Sequence, residues 1–396
     1  MAHLSALGLV CGLGNTKQDV AQALLAGDCR GMQPVEDWIP EQSVVCGVVT
    51  AELPEIPAHL QVHNTRNNRL LMHAVQQIYP QVKQAVERYG TDRIGVVLGT
   101  STSGIYEAGL HISQWVREGY LSTQYDYRQQ ELGDPATFLS RWLELSGPSY
   151  SLSTACTSGA RALMSAKRML DAGVCDAVIC GGADSLCQLT LNGFYSLEAI
   201  SAERCNPFSA HRKGINIGEA AAVFLMTREA PEQPVPVLTG VGASSDAYHI
   251  SAPQPEGLGA IQAMQKALVE AGLAPEDIDY INLHGTATQH NDAMESREVN
   301  QLFGAEVACS SSKPMTGHTL GAAGALEAGF CWLALQSDYN PQHLLIPHLW
   351  DECADETLAP IMLSGRQSAM PDRPVRRMMS NSFAFGGNNT SLILEF

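Results

Sequence analysis

Two short units recur along this chain in the same order, and that repetition limits its fold more than any other feature. An apolar run from Ile94 to Leu98 opens into Gly99-Thr100-Ser101-Thr102, and a second from Ile278 to Leu283, ending in His284, opens into Gly285-Thr286-Ala287-Thr288. Further on in each half an apolar run meets a glycine pair: Val178 to Cys180 before Gly181-Gly182, then Met378 to Phe385 before Gly386-Gly387. Single matches this short carry little, but their shared order points to a duplicated α/β unit. Pro231, Pro234 and Pro236 place the boundary, giving halves over 1–235 and 236–396. Helical patterns lie between the strands: 159–172, 260–271 stopped by Gly272, and one through Leu25 that begins at the N-cap candidate Thr16. Apolar strands alternating with helices imply mostly parallel sheets covered on both faces. The expectation is a five-layered α/β/α/β/α stack, each half reading βαβαβαββ.

Charge and cysteine usage exclude several classes of function. Lys plus Arg number 24 against 41 Asp plus Glu, a net charge of −17, which argues against nucleic acid or an anionic membrane as the main partner. The 11 cysteines form no CxxC pair and no metal-ligand spacing, so a reduced, cytoplasmic chain without a bound metal is expected. Residues 1–15 lack a basic leader and are broken by Gly8, Gly12 and Gly14, so they read as a first strand and turn rather than a secretion signal. The longest apolar stretch, Leu320 to Leu335, is too short to span a bilayer and contains Glu327; it reads as a helix buried on all sides.

The sharpest chemical feature is Ser153-Thr154-Ala155-Cys156-Thr157-Ser158-Gly159. A strand ending at Ser153 turns through small residues into a helix starting near Ser158, which puts Cys156 where free N–H groups and the helix dipole favour a thiolate. The other ten cysteines read as small buried apolar residues. His284 ends a buried strand, and His318 sits in the glycine-framed run Lys313 to Gly324. Nine of the 12 histidines read as structural, and His249, in Asp246-Ala-Tyr-His249, is left open. The turn Asn381 to Asn389 offers N–H donors to an oxyanion, or is simply a tight strand connection.

Cys156 in STACTSG, His284 in HGTAT, Lys313 and His318 in SSKPMTGHTLGAAGALEA, and NSFAFGGNN at 381–389 together resemble the motif set of the β-ketoacyl-[acyl carrier protein] synthases, within the thiolase fold. The resemblance runs nearly end to end. It implies an elongating synthase in which Cys156 takes an acyl chain as a thioester, with the oxyanion held by the N–H groups of Cys156 and Phe385. His284 and His318, as neutral imidazoles, would stabilise the enolate left when a malonyl thioester loses CO2. Lys313 and Glu327 would orient His318, and Thr286, Thr288, Phe383 and Phe385 would contact substrate. No cofactor is implied beyond the phosphopantetheine that arrives on an acyl carrier protein. Arg66, Arg69 and Arg204 are candidate docking residues for that acidic carrier, since a repulsive overall charge leaves local basic spots as the route to steering. A homodimer, or a heterodimer with a ketosynthase-like subunit, is expected.

Alternatives stay in view. A thiolase carries a second catalytic cysteine where this chain has Phe385-Gly-Gly-Asn388, and starter-unit synthases pair histidine with asparagine. A chain-length-determining subunit of the same fold lacks the nucleophile. Some positions depart from the family pattern: Ala384 and Asn388 replace a glycine and a threonine in the gating loop, and the segment 212–222 lacks the usual phenylalanine and one glycine and has Lys213 in place of an acidic residue. Alanine at 384 is expected to restrict the loop, and the departures leave fatty-acid and polyketide or polyene pathways equally open.

Overall fold

The computed structural model describes residues 1–396. Besides a hairpin (Met32–Ile39 with Gln42–Gly47) and a two-residue edge strand (Met362–Leu363), ten strands build two sheets: β1 (Ala2–Cys11), β2 (Ile94–Gly99), β3 (Ser149–Leu152), β4 (Ala177–Asp184) and β5 (Ala220–Thr227) in the first half, then β6 (Val237–Ser245), β7 (Tyr280–Asn282), β8 (Ala308–Ser310), β9 (Arg377–Ala384) and β10 (Asn388–Glu395) in the second. The spatial order is β3-β2-β4-β5-β1 in one and β8-β7-β9-β10-β6 in the other, the same topology twice. The sheets meet edge to edge only where Ala2 and His3 of β1 pair with Leu238 and Val237 of β6.

The sheets are more mixed than expected. β2 is parallel to β3 and β4, and β7 to β8 and β9, but β5 and β10 run against both of their neighbours. The reversal of β10 follows from its connection: the turn Phe385–Gly387 is too short for the crossover that parallel pairing needs.

Five helices define the layers: α1 (Arg66–Gln76), α2 (Ser158–Asp171), α3 (Leu258–Ala271), α4 (Gln289–Phe303) and α5 (Ala323–Leu335). α1 covers β1 and β5 from outside, and α3, with α4 against it, covers β6 and β10. α2 and α5 pack on each other between the sheets, so the order of layers is α/β/α/β/α. All 13 residues of α5 are buried, Glu327 included, because a sheet or helix faces every side of it.

Small residues set how closely α2 and α5 approach. A Cβ on Gly159 would lie 2.8 Å from the Ala325 nitrogen and 2.9 Å from the Gly321 oxygen; one on Gly324 would lie 2.8 Å from the Ala160 Cβ. This crossing brings the start of α2 against the loop that precedes α5. Gly159→Ala should therefore lower stability by ~1–3 kcal/mol through overpacking, despite the ~1 kcal/mol of helix propensity alanine adds. Chemical denaturation checks this, and an unchanged or raised stability would mean the crossing has room to spare.

Candidate active site

Cys156 projects from a strained elbow. Between β3 and α2 the backbone passes through Ala155 at φ +52°, a conformation few non-glycine residues adopt. Local hydrogen bonds hold it there: the Thr154 N–H donates to Ser158 Oγ at 2.9 Å, Ser158 Oγ donates to the Ala155 carbonyl at 2.6 Å, and Thr157 Oγ1 donates to the Thr154 carbonyl at 2.8 Å. The α2–α5 crossing then sets Cys156 Sγ 2.8 Å from His318 Nε2. The His318 and His284 rings stand nearly perpendicular with centroids 5.3 Å apart, and Sγ and one nitrogen of each ring lie within 4.8 Å of one another. The Phe383 ring packs edge-on against His284.

Burial controls the charges here. Both imidazoles are held well below the usual histidine range, first by loss of water and then by the nearby Lys313 ammonium, so both rings are neutral. Neither Nδ1 has a hydrogen-bond partner within the protein. The expectation of a resting thiolate at Cys156 is corrected. Burial pushes its thiol up to about 12, and the pull of Lys313 and of its own backbone N–H is too small to reverse that. A helix N-terminus lowers a thiol's pKa where water still reaches the sulfur; Cys156 is only 6% exposed.

Lys313 and Glu327 pair with each other at 2.6 Å in full burial rather than bonding the His318 ring, so their effect on the histidines is by charge. Sequence reading missed the carboxylates beneath the two repeated turns. Asp184 accepts from Thr100 Oγ1, from the N–H and hydroxyl of Thr102, and from the N–H groups of Ser101 and Gly321, at 2.5–3.0 Å. In the second half Glu295 accepts the N–H of His284 at 2.6 Å and of Gly285 at 2.7 Å, and Asp292 accepts the N–H of Ala287 at 3.2 Å. The available signal was their i, i+3 spacing on α4, which places both on one helix face.

A cavity of about 540 Å³ opens onto the sulfur and both rings. Thr286 and Thr288 line it, their hydroxyls 2.9 Å apart, as do Phe383 and Phe385. Phe385 is half-exposed and packs against Phe194. Ala384 sits at φ −130°, extended backbone open to any residue, so the expected restriction is absent in this conformation; the turn relies on Gly386 at φ +81° and Gly387 at φ +74°. His249 also lines the cavity, with Nδ1 accepting the Ser251 and Ala252 N–H groups.

The arginines separate. Arg66 forms a two-point ion pair with the buried Glu219 while about a third of its side chain (34%) stays exposed. Arg69 donates to Asn64 and lines a different, polar cavity of about 840 Å³ with Arg66 and Arg128. Arg204 is exposed, in a groove beside the active-site cavity.

Comparison with known proteins agrees with this geometry. Residues 5–231 match the family model of the beta-ketoacyl synthase N-terminal domain, and residues 235–346 that of the C-terminal domain. A 3-oxoacyl-[acyl-carrier-protein] synthase 2 of Coxiella burnetii is 32% identical over 423 aligned positions, covering 99% of this chain and 97% of that relative. A ketosynthase solved in complex with its chain length factor, from Xenorhabdus doucetiae, is 48% identical with a TM-score of 0.93, covering 99% of this chain and 97% of its own. A beta-ketoacyl synthase from Burkholderia phymatum is 26% identical with a TM-score of 0.86, covering 99% and 98%. The fold is thiolase-like, and this chain belongs to the β-ketoacyl synthase family, whose members are condensing enzymes. Within it, the chain is an elongating β-ketoacyl-[acyl carrier protein] synthase, an acyltransferase.

Two measurements probe the site. Burial raises Glu295 from the ordinary 4.5 to about 7, so the stability it contributes is present below 4.5 and is lost as pH rises through 7. Glu295→Gln should flatten the fall in unfolding free energy across that window; an unchanged slope would place the titration elsewhere. Alkylation of Cys156 should keep accelerating with pH beyond the ordinary thiol value of 9.0, whereas a plateau near neutrality would reveal a resting thiolate.

Proposed function

We propose that Cys156, His284 and His318 carry out decarboxylative Claisen condensation in a polyketide- or polyene-type pathway. The observation that carries this reading is one sulfur and two uncharged imidazoles facing a single cavity. In the first half-reaction the thiol gives its proton to His318 Nε2 as sulfur attacks an acyl-carrier thioester. The departing pantetheine thiolate takes that proton, leaving acyl-Cys156. The backbone N–H groups of Cys156 and Phe385 hold the tetrahedral oxyanion, each such donor typically contributing ~3 to 4 kcal/mol. A malonyl thioester then releases CO2, and its oxygen, gaining negative charge, accepts bonds from the ring N–H groups of His284 and His318. His318 accepts at Nε2 in one half-reaction and donates from it in the other, so its ring changes tautomer between them. The new carbanion attacks acyl-Cys156, and the released sulfur recovers a proton from solvent. Decarboxylation supplies the carbanion, so no strong base is required.

The carrier protein delivers both substrates on its phosphopantetheine arm, with Thr286 and Thr288 as contacts for the arm. Arg204, on the groove beside the cavity mouth, and Arg69 are the docking candidates that stand outside any ion pair, whereas Lys213 pairs with Glu203 at 3.5 Å. A heterodimer with a chain-length-determining subunit is favoured over a homodimer by the 48% identical relative. Exposed Leu110, Trp115 and Val116 on the helix Ile105–Glu118 supply an apolar surface suited to such a partner. A cytoplasmic setting suits this reading, and no helix is long and apolar enough to cross a membrane.

Release of CO2 from malonyl carrier protein should persist in Cys156→Gln and drop by orders of magnitude in His284→Ala and His318→Ala. Retention of normal CO2 release in both histidine variants, measured with labelled malonyl groups, would remove the enolate role.

A further inference from the structure

Beside the active-site cavity, two loops bring together three side chains that the condensation does not use. The His211 ring, the Asp351 carboxylate and the Cys353 thiol each present a donor atom, and all three donors lie within 4.8 Å of one another. Cys353 is the one exposed cysteine among the 11. We propose that these residues form a binding site for a single borderline-soft divalent cation, zinc being the representative case, with water in the fourth position.

The donor set selects that class of metal. Thiolate and imidazole favour zinc over calcium or magnesium, and three protein ligands with one open position is an established zinc arrangement. The site is also held from behind. Ser209 and Ala354 form an antiparallel bridge, and the Ala210 N–H donates to the Cys353 carbonyl at 2.9 Å. Ser209 Oγ donates to Asp351 Oδ1 at 2.8 Å and accepts the His211 N–H at 2.9 Å, while the Cys353 N–H donates to the same Oδ1 at 3.1 Å. Such contacts orient ligands before a metal arrives. They leave Asp351 Oδ2 facing His211 Nδ1 at 2.7 Å, the pair a cation would separate.

Arg212, next to His211 in the chain, is already paired with Asp355 at 2.6 Å. Ligand atoms around zinc stand roughly 3.2–3.8 Å apart, given Zn–N of ~2.0 Å and Zn–S of ~2.3 Å, so these exposed side chains need only small rotations. On binding, the Cys353 thiol releases its proton to solvent, and the His211 Nδ1 proton shifts to Nε2. Arg212 and Lys213, which follow His211 directly, line both this groove and the active-site cavity, so a metal here clasps a loop at the cavity mouth to the loop that carries Asp351 and Cys353.

Cobalt(II) titration of the full chain tests this, because a thiolate ligand adds a charge-transfer absorption that nitrogen and oxygen ligands do not. Cys156→Ala serves as the background, since Cys156, His284 and His318 form a second donor group. The expected result is one cobalt per chain with the thiolate band, a higher melting temperature with metal, loss of the band on adding Cys353→Ser, and at least tenfold weaker binding on adding His211→Ala. Absence of the band in Cys156→Ala, or its survival in Cys156→Ala/Cys353→Ser, would overturn the proposal. In metal-free buffer Cys353→Ser alone should condense substrate at the unaltered rate, which separates this site from the catalytic reading.

Discussion

The closest approach of two buried helices governs this structure. α2 delivers the nucleophile and α5 follows the loop that delivers His318, and the two touch through Gly159, Ala160, Gly324 and Ala325. Because both helices also pack on sheets, neither can retreat to make room for a larger side chain at the crossing. The 2.8 Å contact between sulfur and imidazole is thus a consequence of core packing, and catalytic geometry and fold stability share the same residues.

Burial then decides the chemistry. Removing water keeps both imidazoles neutral and raises the thiol, and the single buried cation that acts on all three, Lys313, is balanced by Glu327. A neutral resting site suits a reaction whose charge appears only transiently, first on a thioester oxygen and then on a tetrahedral carbonyl oxygen. Ring N–H donors already in place stabilise that charge without reorganising solvent. The carboxylates beneath the repeated turns extend this logic: Asp184 and Glu295 collect backbone N–H groups, so the loops bearing the chemistry are held from below by acceptors that never touch substrate.

Much of this was legible in the chain itself. The repeated strand and turn units led to the duplicated halves, and the glycine-flanked histidines and the elbow cysteine led to the site. The pairing of Arg66 with Glu219 was not legible because helical spacing shows which residues share a face, not which buried group that face meets. Glu295 was overlooked for the converse reason: a carboxylate on a polar helix reads as solvated until another loop is seen covering it. The resting state of Cys156 was misjudged because a helix N-terminus is a local feature, whereas desolvation depends on every element packed around the sulfur.

Local chemistry therefore determined the two halves, the order of strands and helices within them, and the residue types able to attack, donate and stabilise. Only the tertiary structure decided which of those residues meet, how far they lie from water, and which charges are already spoken for. The reason is physical: turn and helix signals act over a few neighbours along the chain, while burial and pairing arise from contacts between residues distant in sequence, such as Cys156 with His318 and Arg66 with Glu219.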